Sequence, residues 1–518
     1  MQYIGVHLGH DAGIVAFDEA GEVIFYGQCE RYSRFKNHMA DLDPIGQSFP
    51  NIPQASSDDV IAITSMENWF DPKWRDAMNV SPETIGYDKR IAIKYKPLQE
   101  ENFIQKWLGK NPDFYVGHHI AHTLSAWAFR KDDKERLFLS YDGVGLDATN
   151  KLDCCLVGYI GNNTLRIIDD KTQIPSTISM GGILGYNSAG KAMGLAGHMP
   201  KQDFTLEQLP AILNAHLNDK WYPCFPYFDK PKESDYQIIA NFYRYTTNNI
   251  WLAVKANIEK FGNGNGVVIS GGSTLALEVN SKIHEMTNDV VFGPPTDDSG
   301  QALGAAMLAY YHHNKKWPVI KTASLNCLQD PLPAIGPQDP IEIAKLIASN
   351  KVVGLLRENS EAGPRALGFR SILALPLADN LKRVSQRIKK REFYRPLAPV
   401  VTERQFDELF KGPIGEYMQY RCDCTDIAKK STPAIVHKDN TSRPQVVFKE
   451  KDPWLHSLLE EIGKLTGYEC LINTSLNSKD KPICNTYEDA KKELRHADIE
   501  LVSIACPAWE IKKKLRFV

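Results

Sequence analysis

An α/β fold in more than one unit is predicted for this chain, and three observations predict it. Its 518 residues exceed what one ordinary core takes up. Apolar strand-like runs alternate with helical stretches along most of its length. The segment Asp330–Pro340 holds four prolines in eleven residues, which marks the best domain boundary. The expected division is therefore residues 1–330, a Pro-rich linker over 331–340, and a second α/β unit over 341–518.

Taken in order, the N-terminus reads as a β-meander. Tyr3–His7 and Gly13–Phe17 are apolar strands joined by the turn Gly9-His10-Asp11, and Glu19–Glu22 turns into a third strand, Val23–Tyr26. A hairpin opening a long α/β chain in this way resembles the start of actin-like ATPase folds. Later strands are expected at Leu137–Tyr141, Cys155–Tyr159 and Val267–Ser270, with helices over Tyr115–Arg130, Asp235–Glu259 and Gln301–His312. Beyond the boundary come a helix, Ile341–Ser349, and a strand, Val352–Leu356.

Composition limits the classes. With 43% hydrophobic and 24% charged residues the chain is that of a soluble globular protein. No run reaches the roughly 18 apolar residues of a membrane helix, and the start, MQYIGVHLGHDAG, lacks the pattern of a secretory signal. The ten cysteines contain no CxxC pair, so reduced thiols in a cytoplasmic protein are expected. The net charge of −2 hides an asymmetry: residues 1–340 carry −9 and residues 341–518 carry +7. A basic C-terminal third points to an anionic ligand there.

Three constellations carry chemistry. His118 and His122 are four apart on the helix Tyr115–Arg130, so they share one face and can ligate one metal. His119 points elsewhere. Asp142 ends a strand and is followed by Gly143, and a second carboxylate comes from Asp297-Asp298, at the entry to the helix Gln301–His312. Two histidines with two aspartates and no thiolate suit iron(II) or a similar ion. Two glycine loops are suited to nucleotide phosphates. One is Gly271-Gly272 after the strand Val267–Ser270; the other is Gly190–Ala196, with Lys191 and Gly194. The third is basic: Arg365, Arg370 and Ser371 in AGPRALGFRS, Arg391 and Arg395 within RVSQRIKKREFYR, Arg443, and the hydrogen-bonding row Asn473, Ser475 and Asn477. Arginine forks match phosphate oxygens.

Together these motifs resemble the NodU/CmcH carbamoyltransferase family over nearly the whole chain. The resemblance is carried by His10-Asp11, the HHxxH of His118–His122, Asp142-Gly143 and the GKxMGLA of Gly190–Ala196. It continues in the GPRALGxRS of Gly363–Ser371, the RExxRPxAP of Arg391–Pro399, Thr441–Gln445 and the NTSxN of Asn473–Asn477. It implies an actin-like (ASKHA) N-terminal domain of two subdomains, followed by a smaller YrdC-like domain. The latter would form carbamoyladenylate from carbamoyl phosphate and ATP, with Mg(2+). The former would pass the carbamoyl group to a hydroxyl of a small molecule such as a sugar, an antibiotic or a modified nucleoside. By the same resemblance His118, His122, Asp142 and Asp298 hold Fe(2+). His10 with Asp11, or His119, assists deprotonation of the acceptor.

This chain departs from the family pattern at Ser273–Ala276 after Gly271-Gly272, at Glu361-Ala362, at Gly197-His198 and at Ser478–Pro482. The loss of an amide at Ala276 weakens the expectation of adenine contacts there. An actin-fold kinase would account for the hairpin and the Gly-Gly loop but not for the basic motifs. A non-catalytic nucleotide- and metal-binding regulator is the other alternative. A charge of −2 argues against extended nucleic-acid binding, and a homodimer is compatible with the sequence. Loops within 35–110 and 200–235 are expected to shape the acceptor pocket.

Overall fold

The computed structural model describes residues 1–36, 54–65, 85–95, 108–146, 152–168, 174–175, 189–208, 232–328 and 330–506. Most of the expected acceptor loops, at 37–53, 66–84, 96–107 and 209–231, lie outside the described residues.

Two sheets built on one plan form the N-terminal part. In the first, β1 (Tyr3–Leu8), β2 (Gly13–Phe17) and β3 (Val23–Gln28) make an antiparallel meander. Then β4 (Val60–Ser65) adds parallel to β1, and β6 (Phe114–Val116) parallel to β4. The edge strand β5 (Ala92–Lys94) runs antiparallel to β6. The second sheet repeats the order. Its meander is β7 (Arg136–Leu146), β8 (Leu152–Gly161) and β9 (Thr164–Ile167), followed by β10 (Val267–Ser270) parallel to β7 and β11 (Val290–Val291) parallel to β10. The orders 3-2-1-4-6 and 9-8-7-10-11 are thus the same topology twice.

Between the sheets lie two helices, His118–Trp127 and Gln301–Asn314, whose apolar residues share one core with both sheets. Every residue of the first is buried. The expected helix Tyr115–Arg130 is shorter because Tyr115 and Val116 pair into the sheet. Glycine allows the close approach: a Cβ on Gly304 would lie 1.9 Å from the carbonyl oxygen of Ala121. Gly304→Ala is therefore expected to destabilise the protein by about 1–3 kcal/mol through overpacking, read as a lower urea midpoint at unchanged slope. An unchanged midpoint would show that the two helices can part without cost.

A further six-stranded sheet organises the C-terminal part. Its order is β20 (Gln445–Val447), β16 (Ala398–Thr402), β21 (Cys470–Ser475), β15 (Arg370–Ala374), β13 (Val353–Leu356) and β22 (Glu500–Ser503). Helices Pro340–Ala348 and Pro453–Thr466 cover one face with an aliphatic layer. The other face packs on a second cluster that includes Leu332. A small sheet of β17 (Phe410–Lys411), β18 (Cys422–Cys424) and β19 (Thr441–Ser442) flanks it. The proline-rich segment does not stand free of this unit, since Ile335 bridges Ser503. The units also join through β12 (Ser324–Asn326), which pairs with β14 (Ser360–Glu361).

All nine described cysteines are free thiols. No helix among the described residues is long and apolar enough to cross a membrane.

Candidate functional site

At the heart of the N-terminal part, four side chains from three elements converge. The helix beginning at His118 follows β6 directly, so its first turn projects His118 and His122 into the gap between the sheets, with their Nε2 atoms 3.1 Å apart. Asp142 comes from β7, where the pairing with β8 slips between Tyr141 and Gly145. Such an irregularity turns a side chain out of the regular alternation. Its Oδ1 accepts from the amides of Gly143 and Gly272, at 2.7 and 3.0 Å. This aims Oδ2 at His118 Nε2 (3.2 Å) and His122 Nε2 (2.8 Å). Asp298 begins the short turn that enters the helix Gln301–Asn314. Its Oδ1 lies 3.1 Å from His122 Nε2 and 3.5 Å from His118 Nε2.

These four residues can hold a metal ion: one ligand atom from each lies within 4.8 Å of the others. Ligands about 2.1 Å from one ion stand roughly 3.0–3.5 Å apart when neighbours in its coordination shell, which matches the separations above. Asp298 Oδ1 is buried and receives no hydrogen bond, as suits a lone pair reserved for a cation. The charges are organised accordingly. Burial alone would raise the Asp142 carboxyl, but His118 and His122 hold it well below the usual range. Burial likewise opposes the shift of Asp298, which His10 and His118 bring to about 2. His122 is lifted against its burial to about 9 by Asp142 and Asp298.

His10 closes the open side of this cluster. Its side chain is 26% exposed, with Nδ1 3.0 Å from Asp11 Oδ2 and Nε2 3.1 Å from Asp298 Oδ2. Asp11 reaches it from a left-handed turn, φ 64°. His119 is placed differently: it is buried, with Nδ1 3.4 Å from the Ser140 hydroxyl on β7. Sequence reasoning passed over Asp297, whose carboxyl is pushed up to about 7 by burial and by Asp11. Its field also acts on Arg365. The double aspartate was the signal, read there as a source of one carboxylate.

The residues expected in nucleotide loops divide between two places. Gly271 sits at φ 94°, and a Cβ there would be 2.3 Å from the carbonyl oxygen of Tyr141. Gly272 spends its amide on Asp142. In the structure these glycines let β10 approach β7 and orient a carboxylate. Lys191 and Gly194 instead face the C-terminal unit. Lys191 lies 3.8 Å from Glu392, and a Cβ on Gly194 would meet the carbonyl oxygen of Tyr394 at 3.2 Å.

In the C-terminal unit Arg365, Arg391, Arg395 and Arg443 are half-buried. Burial and mutual repulsion push Arg391 and Arg443 down, and the same two causes act on Arg365 despite Asp297. Arginine keeps its proton, so this crowding is a standing repulsion that an anion would relieve. Beside them lies Lys389, which sequence reasoning missed within a run of six cations. It is buried and donates to the backbone and side-chain oxygens of both Ser475 and Asn477. Arg391 Nη2 donates to the same Ser475 hydroxyl at 3.4 Å. Burial, then Arg391, depress the Lys389 ammonium well below the usual lysine range.

Three residues expected as anion contacts serve as braces instead. Arg370 is fully buried and gives its guanidinium to the carbonyl oxygens of Asn485, Arg357, Phe369 and Glu358, at 2.7–3.0 Å. The Ser371 hydroxyl accepts from the Gly368 amide at 3.0 Å. Asn473 ties β21 to the Arg365 loop by donating to the Ala366 carbonyl at 3.0 Å and to Gln445 at 2.7 Å. The same loop is organised by the buried carboxylate of Glu361, whose Oε1 accepts from the Leu367 and Arg370 amides.

Comparison with known proteins bears on both halves. A family model described as Carbamoyltransferase C-terminus matches residues 344–508. Nodulation protein U of Rhizobium tropici is 36% identical over 217 residues, covering 40% of this chain and 38% of that protein. Nodulation protein NolNO of Sinorhizobium fredii is 29% identical over 452 residues, 77% of this chain and 64% of that protein. An uncharacterized protein of Methanocaldococcus jannaschii is 27% identical over 96% of this chain and 97% of its own length. Among solved structures, full-length HypF in a phosphate- and nucleotide-bound form is similar at 14% identity. That likeness covers 61% of this chain and 56% of HypF, with a TM-score of 0.31. The C-terminal match and the nodulation-protein relatives together support the NodU/CmcH-type carbamoyltransferase family for this chain.

Proposed function

We propose that this carbamoyltransferase is ATP-dependent and works in two stations. An arginine nest in a YrdC-like C-terminal domain forms carbamoyladenylate from carbamoyl phosphate and ATP. A metal station in an actin-like N-terminal domain transfers the carbamoyl group to a small-molecule hydroxyl. The observation that carries this reading is the junction of the two clusters: Gly363, two residues before Arg365 of the arginine nest, packs against Pro294 and Pro295 of the loop that leads into the metal-facing Asp298. The doubled strand order supports the actin-like assignment.

In this reading water first displaces inorganic phosphate from carbamoyl phosphate, and the carbamate formed attacks the α-phosphorus of ATP. Arg365, Arg391, Arg395 and Arg443 bind phosphate oxygens and neutralise the charge on the pentacoordinate phosphorus as pyrophosphate leaves. Lys389, Ser475 and Asn477 hold the carbamate end by hydrogen bonds. Crowding of the four guanidiniums makes the empty nest unfavourable and the filled one favourable. At the other station Asp11 holds His10 by Nδ1, leaving Nε2 directed at the cluster. There it takes the proton of the attacking hydroxyl. His118, His122, Asp142 and Asp298 would hold a divalent ion such as iron(II), which would supply Lewis-acid polarisation of the carbamoyl oxygen. Burial of His118, His122 and Asp298 at the transferring station limits the access of water to the labile mixed anhydride.

The test is anaerobic incubation with iron(II), ATP and carbamoyl phosphate, without acceptor. AMP and pyrophosphate that appear only when carbamoyl phosphate is present are the expected products. ADP would move the protein to the kinases, and tight ATP binding without turnover would make it a regulator.

A further inference from the structure

The N-terminal part sends one side chain across into the loop that completes the C-terminal anion nest. Arg34 caps the helix Cys29–Ser33 in a left-handed conformation, φ 63° and ψ 17°. For a residue with a Cβ that backbone costs about 1 kcal/mol or more, so the surroundings must hold it there. They do. Arg34 Nη1 donates to the Ile483 carbonyl at 2.6 Å and Nη2 to the Pro482 carbonyl at 2.8 Å. Nε and Nη2 together grip Glu493 Oε1, at 3.1 and 2.6 Å. Lys481 returns the contact by donating to the Arg34 carbonyl at 3.4 Å.

Glu493 passes this grip on. Its Oε2 accepts from the amide and hydroxyl of Ser478, at 3.2 and 3.3 Å. Ser478 is the neighbour of Asn477, whose side chain accepts from the Ser475 hydroxyl at 2.8 Å and from Lys389. Asn477 Nδ2 donates back into the loop at Lys481. The 478–484 turn is therefore fixed from below by Arg34 and from above by Asn477. The segment Ser478–Pro482 carries two lysines, Lys479 and Lys481, and no glycine.

We infer that Arg34 is a positioning residue for the anion nest: through Glu493 and Ser478 it sets Asn477, and through the Asn477–Ser475 bond it sets Arg391, so that the C-terminal unit binds phosphate groups well only when the N-terminal part is docked. The inference rests on the two-station reading. It adds that the adenylate-forming station is completed by the transferring one, so adenylate forms where its consumer is already seated.

The test uses the full chain and inorganic pyrophosphate as the probe, with affinity measured by titration calorimetry. Arg34→Ala is expected to weaken pyrophosphate binding roughly 10- to 100-fold, as a displaced contact does. The KM for carbamoyl phosphate should rise more than kcat falls. Arg34→Lys, which reaches fewer of the acceptors, should lie between. Adding Asn477→Ala to Arg34→Ala should cost little more, since both act on one linkage. If Arg34→Ala does not fold, Glu493→Gln releases Ser478 while leaving the Arg34–carbonyl bonds, and is expected to act in the same direction. Wild-type pyrophosphate affinity in a folded Arg34→Ala or Glu493→Gln protein overturns the inference and leaves Arg34 a fold contact only. Failure of the unaltered protein to bind pyrophosphate would instead overturn the two-station reading itself.

Discussion

Asp142→Asn is expected to lower metal affinity by at least ~100-fold and acceptor carbamoylation by roughly 1000-fold, while AMP release without acceptor stays near wild type. The carboxylate is used at both ends. Oδ1 accepts two backbone amides, and Oδ2 faces both imidazoles. An amide of the same shape must place its NH2 on one side or the other. On the metal side it offers hydrogens where a lone pair is needed; on the other it opposes two N–H donors. Either choice also removes one of the two negative charges beside His118 and His122. Loss of a first ligand exceeds the 10- to 100-fold typical of its supporting shell, and a thousandfold in rate is about 4 kcal/mol of lost Lewis-acid stabilisation. Metal analysis of the purified protein and a carbamoylation assay decide it. A variant that keeps full metal content would remove Asp142 from the ligand set. His119→Gln is the contrast: its Nδ1 lies by the Ser140 hydroxyl and it is not one of the four converging ligand side chains, so the variant should keep the metal.

Local spacing carried the reading only where local geometry decides the outcome. His118 and His122 are brought together by a helical period that any four-residue interval obeys, so their pairing was legible. Asp142 was legible as a carboxylate beside glycine after an apolar run, although β7 does not end there but runs on to Leu146 past an irregularity in its pairing. Gly272 was legible as a glycine but not as to use, because its partner is 130 residues away and reaches it only through parallel pairing of β10 with β7. Parallel order leaves no local mark, and neither does the repetition of the same strand plan in the second sheet. Tyr115 and Val116 belong to an apolar run that fits helix and strand equally, and pairing with β4 and β5 settled it. Arg365 and Arg370 look alike within one motif. Their fates differ because carbonyl oxygens from Arg357, Glu358 and Asn485 surround only the second.

That difference makes opposite predictions for the two kinds of arginine. Arg391→Ala is expected to abolish carbamoyl-phosphate-dependent AMP formation, by roughly 1000-fold or more, and yet to raise the melting temperature by a few degrees. Arg391 stands half-buried where burial and then Arg395 and Arg365 disfavour its charge, and among the described residues its guanidinium makes one hydrogen bond, the 3.4 Å contact with the Ser475 hydroxyl. Removing a charge that its neighbours repel stabilises the empty protein, a common exchange at sites arranged for a ligand. Inorganic pyrophosphate should reverse the ordering by stabilising the wild type more than the variant, since only binding to the folded state shifts the transition. Arg370→Ala should do the reverse in the absence of any ligand. It strips four buried carbonyl oxygens of a charged donor and is expected to cost about 3 kcal/mol or more, with activity falling only as folded protein is lost. Calorimetric melting of both variants with and without pyrophosphate separates the cases. Should Arg391→Ala melt below the wild type without ligand, the nest would be a structural cluster held by contacts of its own, and the phosphate assignment would lose its electrostatic basis.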